Sequence, residues 1–211
     1  MDRNDRQKIF YGLKSMSEEY DTFELVLLKI LKKSSSIKTM KRVSIIVILC
    51  MFCIPLMKNI SISNKTYFYV NNLIDVTSEL MIALFSATLG GYALFQALTS
   101  GDTLISFLKQ RDDEMNKFEE FNLSFFALTL GYLLIILINY LLKITLPIIK
   151  DNEWINLFGY YKNAIITICI FIYVSYTIFL LLEMRSFIFN LFQCFNVNAI
   201  SHGIKALKEN K

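Results

Sequence analysis

Histidine is nearly absent from this 211-residue chain, His202 being the only one, and proline (two), glycine (seven), tryptophan (one) and cysteine (four) are also scarce. One histidine and four scattered cysteines are too few ligands for most metal centres, and they suggest no catalytic triad. Charge is scarce too. Charged residues make up 19% of the chain and the AVILMFWYC class 55%, against about 25% and about 45–50% in soluble domains. Such a balance excludes a disordered chain and an ordinary soluble globule. A mean hydropathy of +0.46 points the same way, and what remains is a membrane protein.

The apolar residues fall into four runs. A hydrocarbon core of about 30 Å needs about 20 apolar residues as helix, each rising about 1.5 Å. Leu80–Leu98 and Ala164–Leu182 hold 19 uncharged residues each, and Phe121–Leu142 holds 22. Val43–Met57 holds 15, with Lys41 and Arg42 before it and Lys58 after it able to snorkel to opposite interfaces. The expected fold is all-α and polytopic, with four transmembrane helices over about 43–58, 77–98, 121–143 and 164–185 in a domain 43–200. An amphipathic helix over 1–42 precedes it and a tail, 201–211, follows. The first run lacks a following small-residue cleavage site and follows 42 residues that hold six acidic side chains, so it does not read as a signal peptide. Barrel strands alternate apolar and polar residues; these runs do not.

Orientation follows from the lysines and arginines. Seventeen lie in the N-terminal segment, the 99–120 loop and the stretch from Arg185 to the end, against five in the other two loops. The positive-inside rule then places both termini and the middle loop in the cytoplasm, and in a bacterium the membrane is the inner one. Lys32, Lys33, Lys38, Lys41 and Arg42 form a juxtamembrane cluster suited to anionic lipid head groups, or serve simply as topology determinants. The net charge of +4 is the sum of this bias and an acidic middle loop, and does not indicate nucleic-acid binding.

Two cytoplasmic features exceed what a hydrophobic plug requires. Ile9, Leu13, Met16, Tyr20, Phe23, Leu27 and Ile30 alternate steps of four and three, a heptad seam that needs a cover: a sister subunit, the middle loop or the membrane surface. In the middle loop Gly101 can stop the second span, and Asp102 or Thr103 can cap a new helix. Leu104, Phe107, Leu108, Met115 and Phe118 then recur at roughly helical spacing. The second and third spans are expected to extend into the cytoplasm as a helical hairpin. Asp112, Asp113 and Glu114, with the heptad seam, are the candidate partner surface.

Inside the membrane, Ala83, Ala87 and Gly91 fall at i, i+4, i+8, with Gly90 adjacent, and Ala127 and Gly131 repeat the spacing on the third span. Small residues let backbones approach closely in lipid, so these spans are expected to form a tight antiparallel pair. A Glu79–Lys143 ion pair is expected at the outer interface, and Glu183 and Arg185 at the inner end of the fourth span. Charges confined to interfaces argue against a proton-coupled transporter. Cys50 and Cys53 form a C-x-x-C without a second pair or a neighbouring base, and read as small buried apolar side chains. No phosphate loop, nucleophile elbow or zinc-protease motif occurs, so no catalytic residue, metal or cofactor is expected and enzyme is the least favoured class.

The layout, with the stretch SATLGGYALFQALTSGDTLISFLKQR, resembles the membrane subunit of the Kiwa anti-phage defence system of bacteria. The resemblance implies an oligomer of the inner membrane, a tetramer being one candidate size, that helps sense infection and works with a soluble DNA-binding partner encoded beside it. Two other classes compete: a four-helix immunity protein against a pore-forming toxin, and a small channel or pore-forming effector.

Overall fold

The computed structural model describes Phe10 and residues 22–34, 37–63, 65–99, 101–112, 115–151 and 161–209. Its elements are α1 (Phe23–Ser34), α2 (Ile37–Phe52), α3 (Ile54–Ile62), α4 (Thr66–Leu98), α5 (Gly101–Lys109), β1 (Arg111–Asp112), β2 (Met115–Asn116), α6 (Lys117–Asp151) and α7 (Lys162–Glu209). Among the described residues the protein is helical apart from one two-residue antiparallel pairing, Arg111 with Asn116 and Asp112 with Met115. Among the described residues three helices are long and apolar enough to cross a membrane: Thr66–Leu98, Lys117–Ile148 and Lys162–Ile200.

The first run departs from the expected single span. It divides at Cys53, whose backbone (φ −88, ψ −6) ends α2 and precedes a helix with proline in its first turn. Pro55 has no N–H for the carbonyl four residues back, and its ring crowds that carbonyl. The Cys53 amide closes instead on Cys50, three residues back, at 2.9 Å.

The other helices outrun their uncharged cores. α4 begins 11 residues before the expected 77, and α7 continues through 185 and the expected tail to Glu209. No proline or glycine interrupts α7 before Gly203, so helix propensity carries it on past its apolar run. The middle loop is not a continuous helical extension. α4 stops at Leu98, Gly101 takes φ +54, and α5 runs only to Lys109 before the β pair. A left-handed backbone at the turn suits glycine, which has no Cβ to clash.

The chain divides into two compact units that share the three long helices. One comprises residues 1–36, 87–129 and 184–211; the other comprises 37–86 and 130–183. The first is built on an aromatic core of Phe95, Phe107 and Phe121 around the buried Cys194, with Tyr92, Leu98, Phe118, Leu191 and Val197 packed against it. The second buries Ile46, Met57, Ile74, Met81, Tyr132 and Ile135. Ile74 and Met81, seven residues apart on α4, and Tyr132 and Ile135, three apart on α6, occupy a/d-like positions, so packing decides which faces of these helices turn inward.

Candidate functional site

In the first unit the N-terminal helix is clasped to the start of α6. Asn116 caps α6, its Oδ1 accepting the Glu119 amide proton at 2.8 Å. That cap fixes the first turn, where Glu119 and Glu120 face the positive end of the helix dipole. The Glu119 side chain is only 4% exposed, and Lys29 Nζ of α1 reaches its Oε1 at 2.9 Å. Burying a carboxylate is costly without a hydrogen-bonded partner, and Lys29 supplies one. Phe23, 58% exposed, meets Phe126 edge to face with centroids 6.1 Å apart. Thr22 caps α1 through the Leu25 amide.

The rest of this unit is held by rings and a polar tie. Tyr92 stacks on Phe125, and Phe107 meets Phe121 edge-on. The Thr103 hydroxyl donates to Asn198 Oδ1 at 3.0 Å, fixing α5 to α7. Tyr92, Phe95, Phe121, Phe125, Phe187, Asn190 and Leu191 line a cavity of ≈ 10 Å³. A space of that size holds about one water and no ligand.

The second unit carries a chain of polar contacts. Asn139 bridges Ser78 of α4 and Tyr173 of α7. One turn nearer the start of α4, Lys143 pairs with Asp75, whose other oxygen accepts from Asn71 at 3.1 Å. On α3, Ser61 accepts the Thr167 hydroxyl of α7 at 2.9 Å. In lipid such contacts hold helices together where apolar burial gives no preference for protein over lipid.

Several expected sites move. Lys143 takes Asp75 and not Glu79 as its partner, because Asp75 lies one turn nearer the start of α4 on the same face and level with Lys143; Glu79 is exposed. The small residues do not seat α4 against α6. A Cβ on Gly91 would lie 2.8 Å from the Phe187 ring and one on Gly131 2.6 Å from Leu180 Cδ2, so both glycines admit side chains of α7. Ala83, Ala87 and Gly90 are exposed, Gly90 with nothing near its missing Cβ, and Ala127 is half-buried. Met184, between Glu183 and Arg185, lies beside Thr88 in the middle of α4's uncharged run, not at an inner end. α7 does not stop after these charges, so its depth follows the helices it packs on.

Of the heptad seam, Phe23, Leu27 and Ile30 lie on α1, the latter two half-buried. Ile9, Leu13, Met16 and Tyr20 fall outside the described residues, as do Asp113 and Glu114, while Asp112 is in β1. Lys32 and Lys33 close α1; Lys38, Lys41 and Arg42 open α2. Cys50 and Cys194 are buried, whereas Cys53 and Cys169 are exposed. Among the described residues no group of histidine, cysteine or carboxylate side chains could hold a metal ion. Counting charges by segment does not single out Glu119 or Asp75; the asparagine three residues before Glu119 is the sequence signal for its cap. Comparison with protein-family models, with curated proteins and with solved structures finds no match.

Proposed function

We propose that this chain is a multi-pass subunit of a bacterial inner membrane that anchors a cytoplasmic assembly and, in keeping with the layout it shares with the Kiwa membrane subunit, acts as the sensor of an anti-phage defence complex. The observation that carries the anchoring role is the Lys29–Glu119 clasp. It docks a helix that a purely hydrophobic plug would not need, and leaves Leu25 and Leu28 of that helix exposed. A soluble DNA-binding protein encoded nearby is the partner this reading calls for, and the chain itself contacts no nucleic acid. It assembles with further copies of itself.

Four crossings fit this reading, although α2 and α3 are each too short to span. α1 meets the first turn of α6, and α3 meets the second turn of α7. Consecutive spans start on opposite faces of a bilayer, so the 26 residues Ile37–Ile62 would connect one face to the other. At about 1.5 Å per residue they reach about 39 Å, enough for the hydrocarbon core. The excess of cations on the side of α1 and α5 makes that side cytoplasmic, with both termini on it.

Purification in mild detergent together with the neighbouring gene products tests the anchoring role. A stable complex with a soluble partner is expected, lost when Leu13, Tyr20 and Leu27 are made charged. A strictly monomeric chain with no partner would sink the reading, and ion flux from liposomes containing the chain alone would replace it with a channel.

A further inference from the structure

The geometry points to Arg185 as a docking cation, exposed at membrane depth, for an acidic transmembrane helix of a partner protein. The inference rests on reading the long helices as membrane spans and not on the defence role. The depth of Arg185 follows from its neighbours in the first unit. The Thr88 hydroxyl lies 3.6 Å from the Met184 sulfur. One turn on, the Phe187 ring fills the space left by Gly91 and touches Phe125, centroids 6.1 Å apart. Thr88 is eight residues from the start of the uncharged run Leu80–Leu98 and ten from its end. At about 1.5 Å per residue those distances are about 12 and about 15 Å. Phe125 is likewise inside the run that begins at Phe121. A bilayer placed on these two runs puts Arg185 near its middle. A bilayer centred on α7's own run, 164–182, would centre on Tyr173, which Asn139 ties to Ser78, and would bring the Asp75–Lys143 pair, one turn away on α4, toward its middle.

Arg185 is exposed and makes no hydrogen bond or ion pair among the described residues. Its helix turns Phe187 and Cys194 into the aromatic core, while Arg185, Phe189, Phe192 and Asn196, at steps of four, three and four, form one exposed face. An ionised side chain facing hydrocarbon is costly and marks function by default. Its Cα–Cβ bond tilts toward the start of α7, away from the cytoplasmic interface, which works against snorkelling in that direction. Lipid phosphates lie at the interfaces, beyond its reach. A two-fold pairing with a second copy does not answer the charge either. Copies share one orientation in the membrane, and two meeting on this face would set Arg185 against Arg185. A carboxylate at the same depth on a partner's helix neutralises the guanidinium through paired hydrogen bonds, and Phe189 and Phe192 supply the apolar contact around it.

The test reconstitutes the full chain in phosphatidylcholine nanodiscs with a labelled single-span polyleucine peptide that carries glutamate at its centre, or glutamine in its place. The glutamate peptide should be retained about tenfold better or more. That preference should vanish in Arg185→Leu, which removes a charge from a lipid-facing site and leaves the fold intact, and persist in Arg185→Lys. Equal retention of the two peptides, or a preference that survives Arg185→Leu, overturns the proposal. So does a disulfide-linked dimer formed by Phe192→Cys and not by the wild-type chain, which would assign the face to a second copy. Extraction of the wild-type chain from membranes by alkali would refute the membrane reading itself.

Discussion

The Tyr173 hydroxyl donates to Asn139 Oδ1 across 2.8 Å. Asn139 Nδ2 donates in turn to Ser78 Oγ at 3.0 Å, and Ser78 donates to the Ile74 carbonyl of its own helix. With Asn139 only 2% exposed, three helices are tied at one buried point. Replacing Asn139 by leucine should lower stability by about 1–2 kcal/mol, the upper range for interhelical hydrogen bonds in lipid. Tyr173→Phe should cost less, since it leaves the Asn139–Ser78 bond in place. The two effects should be less than additive, because both variants remove the same bond. Unfolding in graded detergent mixtures, read by circular dichroism, checks this.

Lys29→Ala should free α1. Glu119 then keeps its cap but loses the Lys29 cation, and weakening the compensation of a nearly buried carboxylate should cost about 1–3 kcal/mol. The measurement is limited proteolysis of the intact protein in detergent: cleavage before Ser34 should accelerate in Lys29→Ala. Lys29→Met with Glu119→Gln should be protected better than Lys29→Ala, since the double variant leaves no buried charge. Equal cleavage of wild type and Lys29→Ala would show that the clasp does not hold the helix.

Adjacent glycines should respond in opposite directions. Gly91→Ala places a methyl 2.8 Å from the Phe187 ring and 2.9 Å from Leu191 Cδ1, an overpacking that costs about 1–3 kcal/mol. Gly90→Ala meets nothing within 4 Å and should gain about 0.5–1 kcal/mol from helix propensity alone. Thermal unfolding of the two variants, side by side, gives the sign of each.

Asp75 and Glu79 should separate in the same way. Asp75→Asn removes the partner of Lys143, whereas Glu79→Gln alters an exposed carboxylate. The pair is exposed at 46% for Lys143 and 37% for Asp75, so its contribution is at most about 1 kcal/mol. Exchange of the two charges, Asp75→Lys with Lys143→Asp, should restore the stability lost in Asp75→Asn, while the corresponding exchange between positions 79 and 143 should not.

These contrasts mark what could be read before the fold was known. Three long spans, the helical class and the breaks around Gly101 follow from run length, charge and glycine chemistry, all of them local properties. The interruption at Pro55 was equally local: a proline in the middle of a short run denies the backbone an N–H and divides the helix, and the 15-residue length was the clue that something other than a straight span was present.

Pairings between helices were not local. Whether Lys143 meets Asp75 or Glu79 depends on a displacement of one turn between two helices, and no periodicity within either helix records it. The glycine spacing identified places of close approach but not the element that would fill them, since Gly91 and Gly131 suit any neighbour with a large side chain. The depth of Arg185 is the clearest case. Its own sequence ends an apolar run there, which suggests an interface; packing of Met184 beside Thr88 puts the same residue midway along another helix's run. Charge and hydropathy determined that this chain has helices long and apolar enough to cross a membrane, because transfer from water depends on composition. Only tertiary structure decided which charges are paired, buried or left facing lipid, because those depend on the register in which long helices pack.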